Sequence, residues 1–246
     1  MSKPPAWSLD STGLPSAPRL CRLKKSTIGR SIGASMATPS RAARIERTSE
    51  TKSERTKARV LREALALASR VGFGGLTFGT LAEQAGISKS GLFAHFESKE
   101  DLQIQTLQLA ESMFVERVLR PAVQEPRGEP RIRRLFDGWM DWIQSAAVPS
   151  GDILTAAAFE FDDAEDGPMR AAVVEGHGKM HGTIERMARQ AIESGQFGAR
   201  LDAAQFAFEF LGIVHAHHHV RRLLRTDRHA RRAQAAFERL LKAYSA

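Results

Sequence analysis

Histidine is the most concentrated chemistry in this sequence. His215, His217, His218 and His219 lie within five residues, and His177 and His181 stand four apart. On a helix, His215 with His218 or His219 sits at a three- or four-residue step, a spacing that can share a metal ion. A metal site would want a carboxylate or cysteine beside the imidazoles, and Cys21, the only cysteine, lies near the other end of the chain. Helix-lining histidines also pack or hydrogen-bond across interfaces, and that reading is preferred; no metal is expected. The acidic run Asp162, Asp163, Glu165 and Asp166 lacks the alternating oxygen ligands and central glycine of a calcium loop. No Gly-x-Ser-x-Gly, phosphate loop or dinucleotide glycine pattern occurs, so neither an enzyme nor a cofactor is expected.

A different chemistry is written from Leu76 to Leu102, LTFGTLAEQAGISKSGLFAHFESKEDL. Thr77 can cap a helix over Phe78 to Ala85, because its hydroxyl can accept an orphan N–H of the first turn. Gly86 follows where a helix ends in a left-handed residue. Ser88 caps a second helix, Lys89 to about Phe96. Ser98, with Asp101 three residues on, starts a third. Two short helices joined by a glycine turn form a helix-turn-helix. The second helix must enter a major groove, so its outer face carries Lys89, Ser90 and Gly91 while Leu92 and Phe96 turn inward. A basic residue at its start can reach a guanine edge or a phosphate.

AGISKSGLFAHFESKEDL resembles the DNA-binding signature of the TetR family of bacterial regulators, over roughly Arg59 to Leu102. Leu92-Phe93, His95-Phe96 and Ser98-Lys99-Glu100 are in register with it. The resemblance implies a homodimer on double-stranded operator DNA, released by a small-molecule effector bound in the body. The expected DNA-contacting set is Thr77, Lys89, Ser90, Gly91, Phe93, His95 and Lys99, with His95 and Lys99 on phosphates. Phe93 departs from the family, which usually has a phosphate-binding tyrosine there.

These groups need positioning. Residues 51–102 are read as the DNA-binding domain, opened by an amphipathic helix with Val60, Leu61, Ala64, Leu65 and Ala68 inward. Residues 103–246 are read as a helical effector-binding and dimerisation domain. The helix from Ser98 links the two and should kink or end at Pro121. Ile153 to Phe161 is almost wholly apolar and should be buried. A helix at Ala203–Arg225, apolar on most sides, calls for a second copy to cover it, and the last helix completes that interface. The class is all-α with about nine helices. Trp139, Phe159, His177, Met180 and Phe210 are the candidate pocket residues, expected to hold an apolar or weakly polar molecule, with Gly176, Gly178 and Gly182 making room.

The formal charge of +8 is uneven. Residues 1–59 hold thirteen Lys and Arg against four Asp and Glu, while the remainder is nearly neutral. Residues 1–50 are read as a disordered basic tail that attracts phosphate without reading sequence. Met36 is an alternative start that would omit most of it. No apolar run near the start could form a signal-peptide core, no stretch approaches a membrane span, and one cysteine permits no internal disulfide; a cytoplasmic protein is expected. Two rival functions remain open: a metal-sensing regulator using the histidines, and a sequence-indifferent DNA-binding protein using the tail.

Overall fold

The computed structural model describes residues 51–145 and 152–246. The basic tail read at 1–50 and residues 146–151 lie outside the described residues. Among the described residues there are nine helices and no strand; Phe197 and Ser245 form an isolated antiparallel bridge.

Three helices make the head: α1 (Lys52–Val71), α2 (Phe78–Ala85) and α3 (Lys89–Phe93). Their ends are set by side chains next to them. Thr51 accepts from the Glu54 amide and Glu54 reaches back to the Thr51 amide, closing a capping box on α1. Thr77 and Thr80 make the same reciprocal pair at the start of α2, and Gly86 ends it with φ 60°. Ser88 caps α3 through the Gly91 amide. The helix expected to reach Phe96 stops at Phe93, because Ala94 and His95 turn so that Phe96 drops into the core at 1 % exposure. Val60, Leu65, Leu81, Leu92 and Leu102 meet it there.

The body begins with α4, which runs from Lys99 to Phe114, through a π-helical turn at Val115–Leu119, and on over Arg120–Gln124. Pro121 therefore does not end it. Proline offers no N–H to the carbonyl four residues back, and the wider turn just before it shifts the bonding register: the Arg120 amide donates to Val115 O. The Arg131 guanidinium, 8 % exposed, then donates to the carbonyls of Val123 and Glu125 and closes the helix end.

Five helices complete the body: α5 (Glu129–Gln144), α6 (Ile153–Glu160), α7 (Pro168–Glu193), α8 (Ala203–Leu224) and α9 (Ala230–Tyr244). The core is aromatic where α5, α8 and α9 meet. Phe136 stacks on Phe237 at 3.9 Å, and Phe210 stands edge-on to both. Helix α6 is less buried than its apolar sequence suggests, since Ile153, Thr155 and Ala157 face inward but Phe159 is 47 % exposed.

Candidate nucleic-acid interface and effector cavity

Lys89 and Ser90 are exposed at the start of α3, and Gly91 is half-buried behind them. A Cβ on Gly91 would stand 3.2 Å from Ser88 Oγ and 3.3 Å from Ile87 Cγ2, so the glycine lets the turn close on the helix. The Lys89 side chain lies near Gly79 on α2. Phe93 is 57 % exposed, with its ring tilted on Phe78 at 4.4 Å. Thr77 has its hydroxyl engaged in the α2 cap. His95 is half-buried against Phe96, and the Lys99 ammonium donates to Gly74 O at 2.9 Å. The exposed face thus holds Lys89, Ser90 and Phe93, while Thr77 and Lys99 also brace the local fold.

The turn between α1 and α2 is held from the body. Glu160, the last residue of α6, accepts from the Phe73 amide at 2.9 Å and the Gly74 amide at 2.5 Å. From α4, Lys99 binds the Gly74 carbonyl and Gln103 the Phe73 carbonyl. Gly72 there has φ 77°, and a Cβ on it would meet the Glu160 carboxylate at 2.8 Å. The carboxylate and the turn are fitted to one another, a link the sequence did not disclose.

A cavity of ≈ 50 Å³ lies among α4, α5, α6, α7 and α8. Trp139, His177 and Met180 line it with Phe114, and so do Glu111 and His215, which sequence reasoning missed. Phe159 and Phe210 do not. Phe159 lies on the opposite side of α6 from Leu154 and Ala158 and borders a groove toward the head, while Phe210 is consumed by the aromatic core. The glycines of α7 divide the same way. A Cβ on Gly176 would stand 2.6 Å from Glu111 Oε1, so that glycine makes room for the carboxylate, whereas Gly178 and Gly182 face open space and clear nothing inside.

Asp152, wholly buried, anchors the cavity wall. It accepts from Trp139 Nε1 and Thr155 Oγ1 at 2.7 Å, from the Leu154 amide at 3.0 Å and from Trp142 Nε1 at 3.2 Å.

The histidines form ring contacts. His177 and His215 stack at 5.4 Å, and Phe159 touches His215, His218 and His219. Among the described residues no group of three or more His, Cys, Asp or Glu could hold a metal ion. Burial lowers His177, with the imidazole of His181 adding to the effect, and burial lowers His215, with His177 adding; Asp152 opposes the shift in both. Burial brings His218 down to about 4 against the opposing pull of Asp152. His217 is lowered by burial and by Arg221, and neither of its ring nitrogens has a partner among the described residues.

His217 borders an open groove of ≈ 610 Å³ between α8 and α9, floored by Gly212, Ala216, Val220, Ala233 and Ala236. Phe208, Leu223 and Leu224, on the same α8, are 58–68 % exposed. No described helix is long and apolar enough to cross a membrane.

Comparison with known proteins came down on the same two regions. Residues 60–105 match the model for bacterial regulatory proteins of the tetR family, and residues 128–237 match a tetracyclin repressor-like C-terminal domain. No curated protein sequence matches. Among solved structures, a TetR transcriptional regulator from Chloroflexus aurantiacus superposes with TM-score 0.69 at 23% identity, over 78% of this chain and 94% of that one. NemR from E. coli, in its reduced form, gives 0.65 at 18%, over 78% and 97%. AibR in complex with isovaleryl coenzyme A and operator DNA gives 0.55 at 21%, over 65% and 83%. At these identities the likeness is one of fold.

Proposed function

Since this chain belongs to the TetR family of bacterial regulatory proteins, we propose that it is a transcriptional repressor that leaves its operator when a small molecule enters the α4–α8 cavity. It works in the cytoplasm, where its operator DNA lies. The observation that carries this reading is the clamp: α6 lines the cavity with Leu154, Thr155 and Ala158 and ends in Glu160, which holds the head. Ligand pockets run to about 300–1,000 Å³, so ≈ 50 Å³ admits no sizeable ligand without the walls moving apart. An effector therefore binds a different arrangement from this one. It weakens operator binding only by as much as it prefers that arrangement to the operator-binding one.

Footprinting on the DNA upstream of the gene tests the reading. Lys89→Ala is expected to cost about 1–3 kcal/mol and to relax preference at one base position. Lys99→Ala should weaken all sequences alike and reduce the salt slope by about one if Lys99 exchanges the Gly74 carbonyl for a phosphate on binding. Equal affinity for operator and random DNA at fixed salt would overturn the assignment in favour of sequence-indifferent binding by the basic tail.

The groove between α8 and α9 fits a second copy of the chain. Its small residues let helices approach closely, and a two-fold interface covers one patch with itself. The unpartnered ring nitrogens of His217 also gain a source of partners there. A dimer at micromolar concentration is expected in sedimentation, and a monomer after Ala236→Glu. A wild-type monomer would remove this interface.

A further inference from the structure

We infer that Phe93 reads the C5 methyl of a thymine in the major groove, an inference that rests on the operator reading above. Phe93 is the most exposed large apolar side chain of the described head, at 57 %. It closes the outer face of α3: Lys89 stands four residues before it and Ser90 three, a spacing that puts all three on one side, and both are exposed. An aromatic ring left in water forfeits the gain of its burial until something covers it. Phe78 covers only part of this one. The two rings meet tilted, with centroids 4.4 Å apart, and that contact fixes how Phe93 is presented. Phe78 begins α2, and a Cβ on its neighbour Gly79 would stand 3.8 Å from Lys89 Cε and Nζ. Lys89 and Phe93 are thus both held against the start of α2.

The chemistry of the ring decides what it can touch there. A phenyl group has no N–H or O–H, so it cannot bond a phosphate as an amine or hydroxyl does. Pressing it on one would strip water from the anion with nothing in exchange. Base edges in the major groove are rows of donors and acceptors with one apolar group among them, the C5 methyl of thymine. The ring can bury that methyl. Cytosine, with an amine and no methyl, offers it nothing to bury. Lys89 and Phe93 therefore divide the reading, the ammonium on an acceptor-bearing edge and the ring on a methyl. One helical turn rises about 5.4 Å against about 3.4 Å for a base step, so the two positions lie within about two base pairs of each other.

The test replaces dT by dU, one position at a time, in the upstream DNA fragment that the footprint defines, and measures the affinity of the full chain at fixed salt. dU pairs with dA as dT does and lacks only the methyl. Each half-site is expected to hold one dT, within about two base pairs of the position Lys89 reads, whose replacement weakens binding about four-fold, the worth of one buried methyl. Phe93→Ala should bind the dT and dU forms of that position alike, and Phe93→Ser serves in its place should that variant not fold. A ring that only staples α2 to α3 would, when removed, weaken every sequence equally and single out no thymine. The inference is overturned if no dU replacement weakens the wild type, or if the sensitive position stays equally sensitive in the Phe93 variant. Equal affinity for the fragment and for random DNA overturns the operator reading and this one with it. A clear preference for the fragment with no methyl-sensitive position overturns only the role of Phe93.

Discussion

Asp152→Ala is expected to lower unfolding stability by about 3–5 kcal/mol, the largest effect of any single substitution proposed for this chain. The carboxylate receives two indole N–H groups, one hydroxyl and one backbone amide in a site with no exposure. Removing it leaves two indole donors and a hydroxyl without acceptors in a dry place, at about 1–3 kcal/mol for each such group, with partial relief from relaxation. It also removes the cap of α6, worth about 1 kcal/mol by itself. Asp152→Asn keeps one oxygen but turns an NH₂ toward donors, so it should fall between. Urea denaturation checks this: a loss below about 1 kcal/mol for Asp152→Ala would mean that these donors find other acceptors. Because α6 begins at Asp152 and ends at Glu160, the variant should also bind operator less tightly at temperatures where it remains folded.

Acidification should destabilise the protein between about pH 6.5 and pH 4, by on the order of 3 kcal/mol from His218 alone. The sign follows from the direction of the shift. Burial lowers His218 to about 4, while in the unfolded chain it titrates near the ordinary 6.5. Above pH 6.5 neither state binds the proton and nothing is lost. As pH falls through the window the unfolded chain takes up a proton that the folded one refuses, so unfolding gains. Below about 4 both are protonated and the loss is complete. His177, His215 and His217 are lowered too and add in the same direction. Carboxylates contribute to acid unfolding as well, so the decisive comparison is between wild type and His218→Asn: the variant should show a shallower fall in stability from pH 7 to 5. Parallel curves would locate the titrating group elsewhere.

The sequence disclosed what is decided locally. Thr77, Ser88 and Ser98 act on amides three residues away, and Gly86 takes its left-handed turn with no help from afar, so the head could be read from its own residues. Even there α3 came out short, because its end depends on where Phe96 must go. What stayed hidden is what distant residues decide. Glu160 reads as an ordinary helix-end acid until the structure brings it to amides 87 and 86 positions away. Gly176 looks like slack in a helix until Glu111 is seen opposite it. Aromatic residues chosen for the pocket by type divided among cavity, core and surface, since periodicity tells inside from outside but not one interior space from another.

The π-helical turn at Val115–Leu119 bears on how head and body are phased. An α-helix advances 3.6 residues per turn and carries one azimuth unchanged along its length. Inserting a wider turn shifts that azimuth for every residue beyond it. Adjacent buried pairs recur every four residues on both sides of it, from Leu102-Gln103, Thr106-Leu107 and Ala110-Glu111 to Phe114-Val115, Val118-Leu119 and Ala122-Val123. Mechanically, α4 is a shaft with a torsional joint in it, and Pro121 sits just beyond, where its missing N–H leaves one fewer bond to keep the joint in a single setting. Torque from the far end of α4 reaches the DNA-reading end only through that joint.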